Sequence, residues 1–297
     1  MNRCITLLFS LTASLLYAGS PVVDVPGKHA DVLRDGKPVL RYMYENAPDG
    51  ERSFDTAKCF HHVLGPDGKT ELTKGAGGKF PHHRGLYIGW SRIKHAGKSW
   101  DLWHVKNTRQ VHQKHLPVVL GNDGSVSQSS VIHWVTADGT VLIEETRSVT
   151  LVPDAEAHAM IDFVSTLQAV NGDLVLGGDP EHAGMQYRPS NKVAENKSAK
   201  YTFPTEKVDL KKTRDLSWAA MTYQLGDDTW TVQHANHPNN PKGTIHSAYR
   251  DYGRFGAFPT FSLKDGESRT LQYRITVLPG AAPARAALQA RYEAFAR

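Results

Sequence analysis

Two imidazoles and a guanidinium stand side by side in the segment Phe80-Pro81-His82-His83-Arg84, directly before the apolar run Leu86 to Trp90. Side chains of these types can transfer protons near neutral pH and can bind anions or hydroxyl groups. A loop that leads into a rigid strand is a common position for functional groups. Because neighbours in an extended chain point in opposite directions, we expect only one of His82 and His83 to face a given pocket.

Two later segments repeat this kind of composition. The stretch Glu181 to Pro189 follows glycines and contains His182 and Arg188, and the stretch His234 to Pro241 places His237 in a turn fixed by prolines and asparagines. Three histidine-bearing loops exceed what a globular core needs, so we interpret them as parts of one site. The other histidines, His104 among them, are interpreted as surface or core residues.

The segment Tyr249 to Gly256 mixes arginines with flat aromatic rings, including Tyr252. This mixture suits stacking and hydrogen bonding to sugar rings, although a plain edge strand can have the same composition.

Glu145 and Arg147 stand out because both lie on the apolar face of the alternating segment Val141 to Val152. A single buried charge would be very costly. The two side chains must therefore pair with each other or line a polar pocket, and the sequence leaves both alternatives open.

The elements that would position these residues are mostly strands. Period-two alternation recurs from Val141 to Val152, from Ile161 to Leu167 and from Leu271 to Val277, with turn signals such as Asn122-Asp123-Gly124 between such runs. The pattern predicts an all-β fold, a large antiparallel β-sandwich. A short C-terminal helix is predicted because apolar residues recur there at spacings of four and three, at Leu288, Tyr292 and Phe295. The polar region from Lys192 to Lys212 is predicted to be a surface excursion.

The first residues predict a secretory signal peptide over 1 to 18, with an apolar run from Ile5 to Tyr17 that is too short to span a bilayer. We expect a periplasmic or secreted protein, with residues 19 to 297 as a single β-sandwich domain and no membrane insertion. Cys59 would then be the only cysteine, which excludes an internal disulfide. The formal net charge is +5. The sequence has no run of lysines and arginines of the kind that is typical of nucleic-acid binding. The oligomeric state stays open.

Taken together, these segments resemble DUF6807, a bacterial family of exported proteins that has been labelled "methane oxygenase PmoA". The resemblance covers roughly residues 38 to 279 and rests on Pro81 to Leu86 with Gly89-Trp90, Glu144 to Thr146, His182 to Arg188, His237 to Pro241 and Tyr252-Gly253. It implies a galactose-mutarotase-like supersandwich and a saccharide substrate. A methane oxygenase subunit is an integral membrane protein, so that label does not fit a chain without a membrane helix after its leader.

The leading hypothesis is an exported carbohydrate-active enzyme that hydrolyses, eliminates or epimerises a sugar by acid–base chemistry of histidine and glutamate. The predicted catalytic residues are His83, His182, Glu145 and His237. The predicted substrate-binding residues are His82, Arg84, Trp90, Tyr187, Arg188 and Tyr252. We expect the four catalytic side chains to line one pocket, and we expect no cofactor.

Two alternatives remain. Three imidazoles, from His82 or His83, His182, and His234 or His237, could hold zinc or copper, although no HExxH-like spacing orders them in advance. A sugar-binding protein without catalysis would instead use an aromatic platform made of Trp90, Trp100, Trp103, Tyr249 and Tyr252.

Overall fold

The computed structural model describes residues 20–297, so the predicted signal peptide lies outside the described residues. Within this part of the chain there are 21 strands and two helices. No helix in it is long and apolar enough to cross a membrane.

The strands follow one another along the chain with short connections. The first eleven are β1 Val22–Val25, β2 His29–Arg34, β3 Lys37–Met43, β4 Phe60–Val63, β5 Leu86–Trp90, β6 Arg92–His95, β7 Lys98–Trp100, β8 Thr108–His115, β9 Val119–Leu120, β10 Val126–Thr136 and β11 Val141–Val152. The other ten are β12 Ala159–Ala169, β13 Leu174–Gly177, β14 Ala183–Tyr187, β15 Lys200–Thr202, β16 Trp218–Leu225, β17 Asp228–Asn236, β18 Ile245–Ser247, β19 Phe255–Phe258, β20 Phe261–Leu263 and β21 Ser268–Pro279. The helices are α1 Asn191–Asn196 and α2 Arg285–Phe295.

Antiparallel pairing joins these strands into three sheets. An eight-stranded sheet has the order β1-β2-β3-β4-β5-β14-β19-β18, and a nine-stranded sheet has the order β15-β16-β17-β21-β12-β11-β10-β8, with β9 added to β10. A four-stranded sheet has the order β20-β13-β6-β7. The prediction of an all-β antiparallel sandwich with a short C-terminal helix is confirmed.

The two large sheets pack face to face around one apolar core. The ring of Trp90 in β5 lies 6.0 Å from that of Trp134 in β10, and the hydroxyls of Tyr187 and Tyr223 meet at 2.8 Å. Helix α2 covers the opposite, outer face of the nine-stranded sheet, where Leu288 is buried. The outer face of the eight-stranded sheet is thus on the other side of the sandwich from α2.

Alternation along β5 shows what that outer face presents. Leu86 and Ile88 point into the main core, whereas Tyr87 between them packs with Phe60 and Trp103 in a separate small cluster. The loops that precede β5 and β14 and the loop after β18 surround this cluster, and they carry most of the predicted site.

Two sequence-based expectations about elements can be compared with these bounds. The alternating segment Val141 to Val152 is strand β11 with the predicted limits. The polar region from Lys192 to Lys212 is less irregular than predicted, because α1 buries Val193 and Ala194 and β15 pairs with β16. A helix of six residues is too short to give a clear sequence pattern.

Several buried histidines make the stability of the fold depend on pH. Burial lowers the pKa of His62 and His234 to about 4, and it lowers that of His61 well below its usual value. Below pH 6.5 these histidines bind protons in the unfolded chain but stay neutral in the folded chain. Acid therefore favours unfolding. We expect a loss of roughly 2 kcal/mol per such histidine between pH 7 and pH 5.

Thermal unfolding of the wild type and of His61→Phe over this pH range tests the expectation. Both ring nitrogens of His61 are buried without a hydrogen-bond partner among the described residues, so phenylalanine should flatten the pH dependence. A melting temperature that is equal at pH 7 and pH 5 in the wild type contradicts it.

Candidate functional site

A tight turn before β5 brings both adjacent histidines to the same place. The amide of His83 donates to the carbonyl of Phe80 at 2.9 Å. Phe80 has a φ of 56°, a conformation that costs free energy in a bulky residue and that is enriched at functional sites. The rings of His82 and His83 lie 4.4 Å apart. The expectation that only one of them faces the pocket is wrong, because it assumed an extended chain.

Gly85 allows this turn to lie against the neighbouring strand. A Cβ atom on Gly85 would lie only 2.4 Å from the carbonyl oxygen of His61 in β4. The carbonyl of Gly85 also accepts the amide of Arg188 at 3.0 Å. Close approach of these backbones sets Arg84 and Arg188 at the ends of adjacent strands, next to the turn.

Three buried arginines converge beside the turn, although they are far apart in sequence. Arg84, Arg188 and Arg254 are each at most 2% exposed. Most of their hydrogen bonds go to backbone carbonyls: Arg84 donates to the carbonyls of residues 81, 83 and 55, Arg188 to that of residue 252, and Arg254 to that of residue 181. Carbonyls orient a guanidinium without neutralising its charge.

Several donors of this group have no acceptor in the described part of the chain. They are Nε of Arg84, Nη2 of Arg188, Nε and Nη2 of Arg254, and Nε1 of Trp103. Nη2 of Arg254 is 3.3 Å from the carboxylate of Glu181, but its geometry does not make a hydrogen bond. Because buried donors are almost always satisfied in folded proteins, several unpartnered donors in one place call for a specific explanation, such as a ligand, an ion or a bound water. We call Arg84, Arg188 and Arg254 the arginine cluster.

Lys58 adds a fourth buried cation. Its ammonium donates to the carbonyls of His82 and Trp103 and lies 4.1 Å from the centre of the Tyr87 ring. Burial lowers its pKa well below the usual value, and burial likewise lowers the pKa of Arg84 and Arg188 to about 10. All three shifts have the sign that results when cations are desolvated without enough negative charge nearby.

Arg188 also fixes the protonation of His83. Nε of Arg188 donates to Nδ1 of His83 at 3.2 Å, so Nδ1 must be the acceptor and Nε2 must carry the proton. Burial, with further contributions from His82 and Arg188, lowers the pKa of His83 far below its usual value. His83 is therefore a neutral imidazole that presents an N–H donor, in the way that a neutral histidine polarises a substrate oxygen.

His82, which lines a small cavity, packs with two further histidines, His104 and His182. The rings of His82 and His104 lie 4.6 Å apart and those of His104 and His182 lie 4.9 Å apart. Nδ1 of His104 is bonded to Asp101 at 2.8 Å, and Nδ1 of His182 is bonded to Asp179 at 2.9 Å. We call His82, His104 and His182 the histidine triad.

The space between these groups is small, and a wide groove lies beside it. A cavity of about 10 Å³ is lined by the arginine cluster, His82, His83, Tyr87, Trp103 and Gln186, which is room for one water-sized group. The groove, of about 980 Å³, runs past Glu181, Arg250 and Tyr249. Glu181 connects the two, since its carboxylate bonds Arg250 and lies next to Arg254.

Glu145 lies away from this pocket. It is buried between the two large sheets, where its carboxylate accepts from Arg147 at 2.8 Å, from Trp134 at 2.8 Å and from Ser165 at 2.7 Å. Of the two alternatives left open by the sequence, the pairing with Arg147 is the one observed. The prediction that Glu145 lines the same pocket as His83 is wrong, because the apolar face of β11 points into the core.

Three more predicted site residues lie elsewhere. The ring of His237 packs 5.2 Å from that of Phe295 in α2, on the outer face of the nine-stranded sheet and so on the opposite side of the sandwich. Trp90 and Tyr187 are fully buried in the main core. The structure thus brings together His82, His83, Arg84, His182, Arg188 and Tyr252, but not these three.

Sequence reasoning missed Lys58 and His104, and it recognised Arg254 only as part of the segment Tyr249 to Gly256. His104 had a usable signal: Asp101 precedes it by three residues, and Asp179 precedes His182 by the same three. In both loops the aspartate also caps the turn by accepting backbone amides. Lys58 and Arg254 show no such local pattern.

The fold and the pocket define a class: an antiparallel β-sandwich protein with a cationic, histidine-rich pocket on the outer face of one sheet. The chain belongs to the family of unknown function DUF6807, whose sequence model matches residues 29–293. No curated protein matches the sequence.

Some solved structures are similar in architecture at low sequence identity. A GalM/aldose epimerase homologue from C. elegans is 9% identical with a TM-score of 0.39, over 88% of this chain and 98% of that one. A mutant of the heparan sulfate lyase HepC from Pedobacter heparinus is 10% identical with a TM-score of 0.37, over 86% of this chain. The chain spans only 36% of the length of that lyase. Likeness at this level carries no argument about activity.

Proposed function

We propose that this protein is a carbohydrate-active enzyme that acts on a saccharide whose reacting group is, or becomes, negatively charged in the cavity beside the arginine cluster. The observation that carries the proposal is the set of buried N–H donors without acceptors on Arg84, Arg188 and Arg254. An oxyanion or carboxylate is the ligand that satisfies such donors best.

Charge balance supports an anionic ligand. Among the described residues, Glu181 is the only carboxylate within 4 Å of any of the four buried cations Lys58, Arg84, Arg188 and Arg254, and it also pairs with Arg250. Buried charges that lack partners are costly. Binding of an anion would recover part of that free energy.

The chemistry that fits is proton abstraction next to a carbonyl or carboxylate, which leads to elimination or epimerisation. The electron pair of the broken C–H bond moves to an oxygen, and the arginine cluster with the N–H of His83 would stabilise that oxyanion. The proton acceptor would come from the histidine triad, where the hydrogen bond to Asp179 leaves Nε2 of His182 free. Hydrolysis needs no such anion binding and fits less well.

A saccharide is proposed because aromatic rings and a wide groove adjoin the cavity. The ring of Tyr252 lies 5.1 Å from the guanidinium carbon of Arg188 and 4.8 Å from the ring of Phe80. Rings of this kind stack on sugars. The groove volume lies within the range of ligand-binding clefts. Export through the predicted leader is part of the proposal, and cell fractionation tests it.

Incubation of the purified protein with uronate-containing, neutral and 3-keto saccharides, followed by mass spectrometry and chromatography, tests the proposal. We expect conversion without gain of water, and we expect His83→Ala to lower its rate about 100-fold. His237→Ala is the matched control and should keep the wild-type rate, since His237 lies at α2.

Equal rates in His83→Ala and the wild type would refute the assignment of the site. Binding of a saccharide without conversion of any member of the panel would instead indicate a sugar-binding protein.

A further inference from the structure

We propose that the histidine triad is a binding site for one divalent transition metal ion, of the zinc type, with an open position toward the cavity. The inference that the metal takes part in catalysis rests on the proposed function. The binding itself is inferred from the geometry of His82, His104 and His182 alone.

The triad has the ligand number and atom type of a catalytic metal site. One ring nitrogen from each histidine lies within 4.8 Å of the other two. Three imidazoles with a fourth position for water or substrate are typical of zinc in enzymes, with Zn–N distances of about 2.0 to 2.1 Å. Nitrogens around one tetrahedral ion are then roughly 3.4 Å apart, so the three half-buried rings would have to move closer together to bind one ion.

Second-sphere carboxylates already hold two of the rings in the required orientation. Asp101 accepts from Nδ1 of His104, and Asp179 accepts from Nδ1 of His182. This arrangement leaves Nε2 of both rings as the nitrogen for the ion, and metal-binding histidines commonly have such a partner. In both loops the same aspartate also accepts a backbone amide, so it holds the loop and the histidine ring together.

His82 supplies an independent observation. Its Nε2 is buried and has no hydrogen-bond partner among the described residues. A ring nitrogen that is desolvated without a partner costs free energy, and a metal ion at the centre of the triad would satisfy it. In addition, Val105, directly after His104, has a φ of 53°, which is a rare conformation for a β-branched residue and shows that the loop is held in place.

The neighbouring cations do not exclude an ion, because negative charge surrounds the triad. Asp101 and Asp179 bond two of the three rings, Glu181 follows Asp179 and pairs with Arg250 and Arg254, and Lys58 directs its ammonium to carbonyls. The charged oxygen of an anionic substrate would lie between the ion and the arginines. Held by His82, His104 and His182, the ion would supply Lewis-acid chemistry beside the oxygen held by Arg188 and Arg254, and Nε2 of His182 would then serve as a ligand instead of the proton acceptor.

Metal analysis of protein purified without a polyhistidine tag tests the inference. The metal-free protein is titrated with Zn²⁺ by calorimetry and with Co²⁺ by visible absorption, which reports tetrahedral coordination. We expect one equivalent per chain in the wild type and in His133→Ala, a control on the far side of the sandwich that pairs with Glu144. Asp179→Asn should bind 10 to 100 times more weakly, and His104→Ala more weakly still.

Absence of stoichiometric binding in the wild type, or equal affinity in His104→Ala, overturns the metal site. Turnover that persists in metal-free protein overturns its catalytic role and leaves the proposed function intact. Stoichiometric binding by a protein that converts none of the saccharides supports the metal site and speaks against the proposed function, so the two failures can be told apart.

Discussion

Glu145→Ala is expected to lower the free energy of unfolding by about 3 to 5 kcal/mol, which is a large part of the stability of a typical domain. The substitution leaves the guanidinium of Arg147 fully buried, with hydrogen bonds only to the carbonyl of Cys59 and, at 3.4 Å, to Gln110. It also removes the acceptor of Trp134 and Ser165. An uncompensated buried charge next to two unsatisfied donors accounts for the size of the effect.

Denaturant unfolding at neutral pH measures this loss. Glu144→Ala is the matched control, since Glu144 is next in the strand, faces solvent and pairs with His133 across the surface of the sheet. Surface pairs contribute 1 kcal/mol or less. The double variant Glu145→Met/Arg147→Met should recover most of the loss, because an apolar pair leaves no charge behind. A loss below about 1 kcal/mol in Glu145→Ala would mean that Arg147 finds another partner.

The strands could be predicted from the sequence because their signal is local. In β11 and β21 the side chains alternate between a buried and an exposed face, so apolar residues alternate with polar ones. The C-terminal helix could also be predicted from a local signal, since Leu288 and Tyr292 are spaced at about one helical turn. Each of these patterns lies within about a dozen residues, and none depends on where the chain goes next.

The site could be predicted only in part, because its members meet through tertiary packing. Alternation could have excluded Trp90 and Tyr187, since each lies on the core side of its strand. No local sequence pattern predicts that the loop before β5 turns sharply and brings the side chains of His82 and His83 to the same side. Nor does the sequence state that the turn with His237 lies against α2, on the opposite side of the sandwich.

Buried charged residues have different roles, which depend on whether an opposite charge lies next to them. Glu145 and Arg147 were recognised because two charges shared an apolar face, and they neutralise each other. Arg188 directly follows β14 and Arg254 directly precedes β19 at the same edge of the sheet. No sequence pattern there predicts burial, and the two arginines have no comparable counter-charge. The first pair stabilises the fold, whereas the second group keeps unsatisfied donors for a ligand.

Substitution of Arg188 is expected to lower binding and turnover and to leave stability nearly unchanged. Arg188→Met keeps the apolar stem but removes the guanidinium that holds Nδ1 of His83 and points Nη2 into the cavity. Loss of one donor to a developing oxyanion costs about 100-fold to 1000-fold in turnover. The ligand-free protein should melt within a few degrees of the wild type, because the lost carbonyl contacts are offset by relief of repulsion among Arg84, Arg188 and Arg254.

Thermal shift assays with glucuronate as a sugar carboxylate and glucose as its neutral counterpart separate the two contributions. A ligand that binds only the folded state raises the melting temperature in proportion to the logarithm of its concentration above the dissociation constant. Glucuronate should therefore stabilise the wild type and the exposed control Arg92→Met, but not Arg188→Met, while glucose should act on all three alike. Equal stabilisation of wild type and Arg188→Met by the carboxylate would show that the arginine cluster is not the anion site. A large fall in the melting temperature of ligand-free Arg188→Met would show instead that the guanidinium mainly stabilises the fold, as Arg147 does.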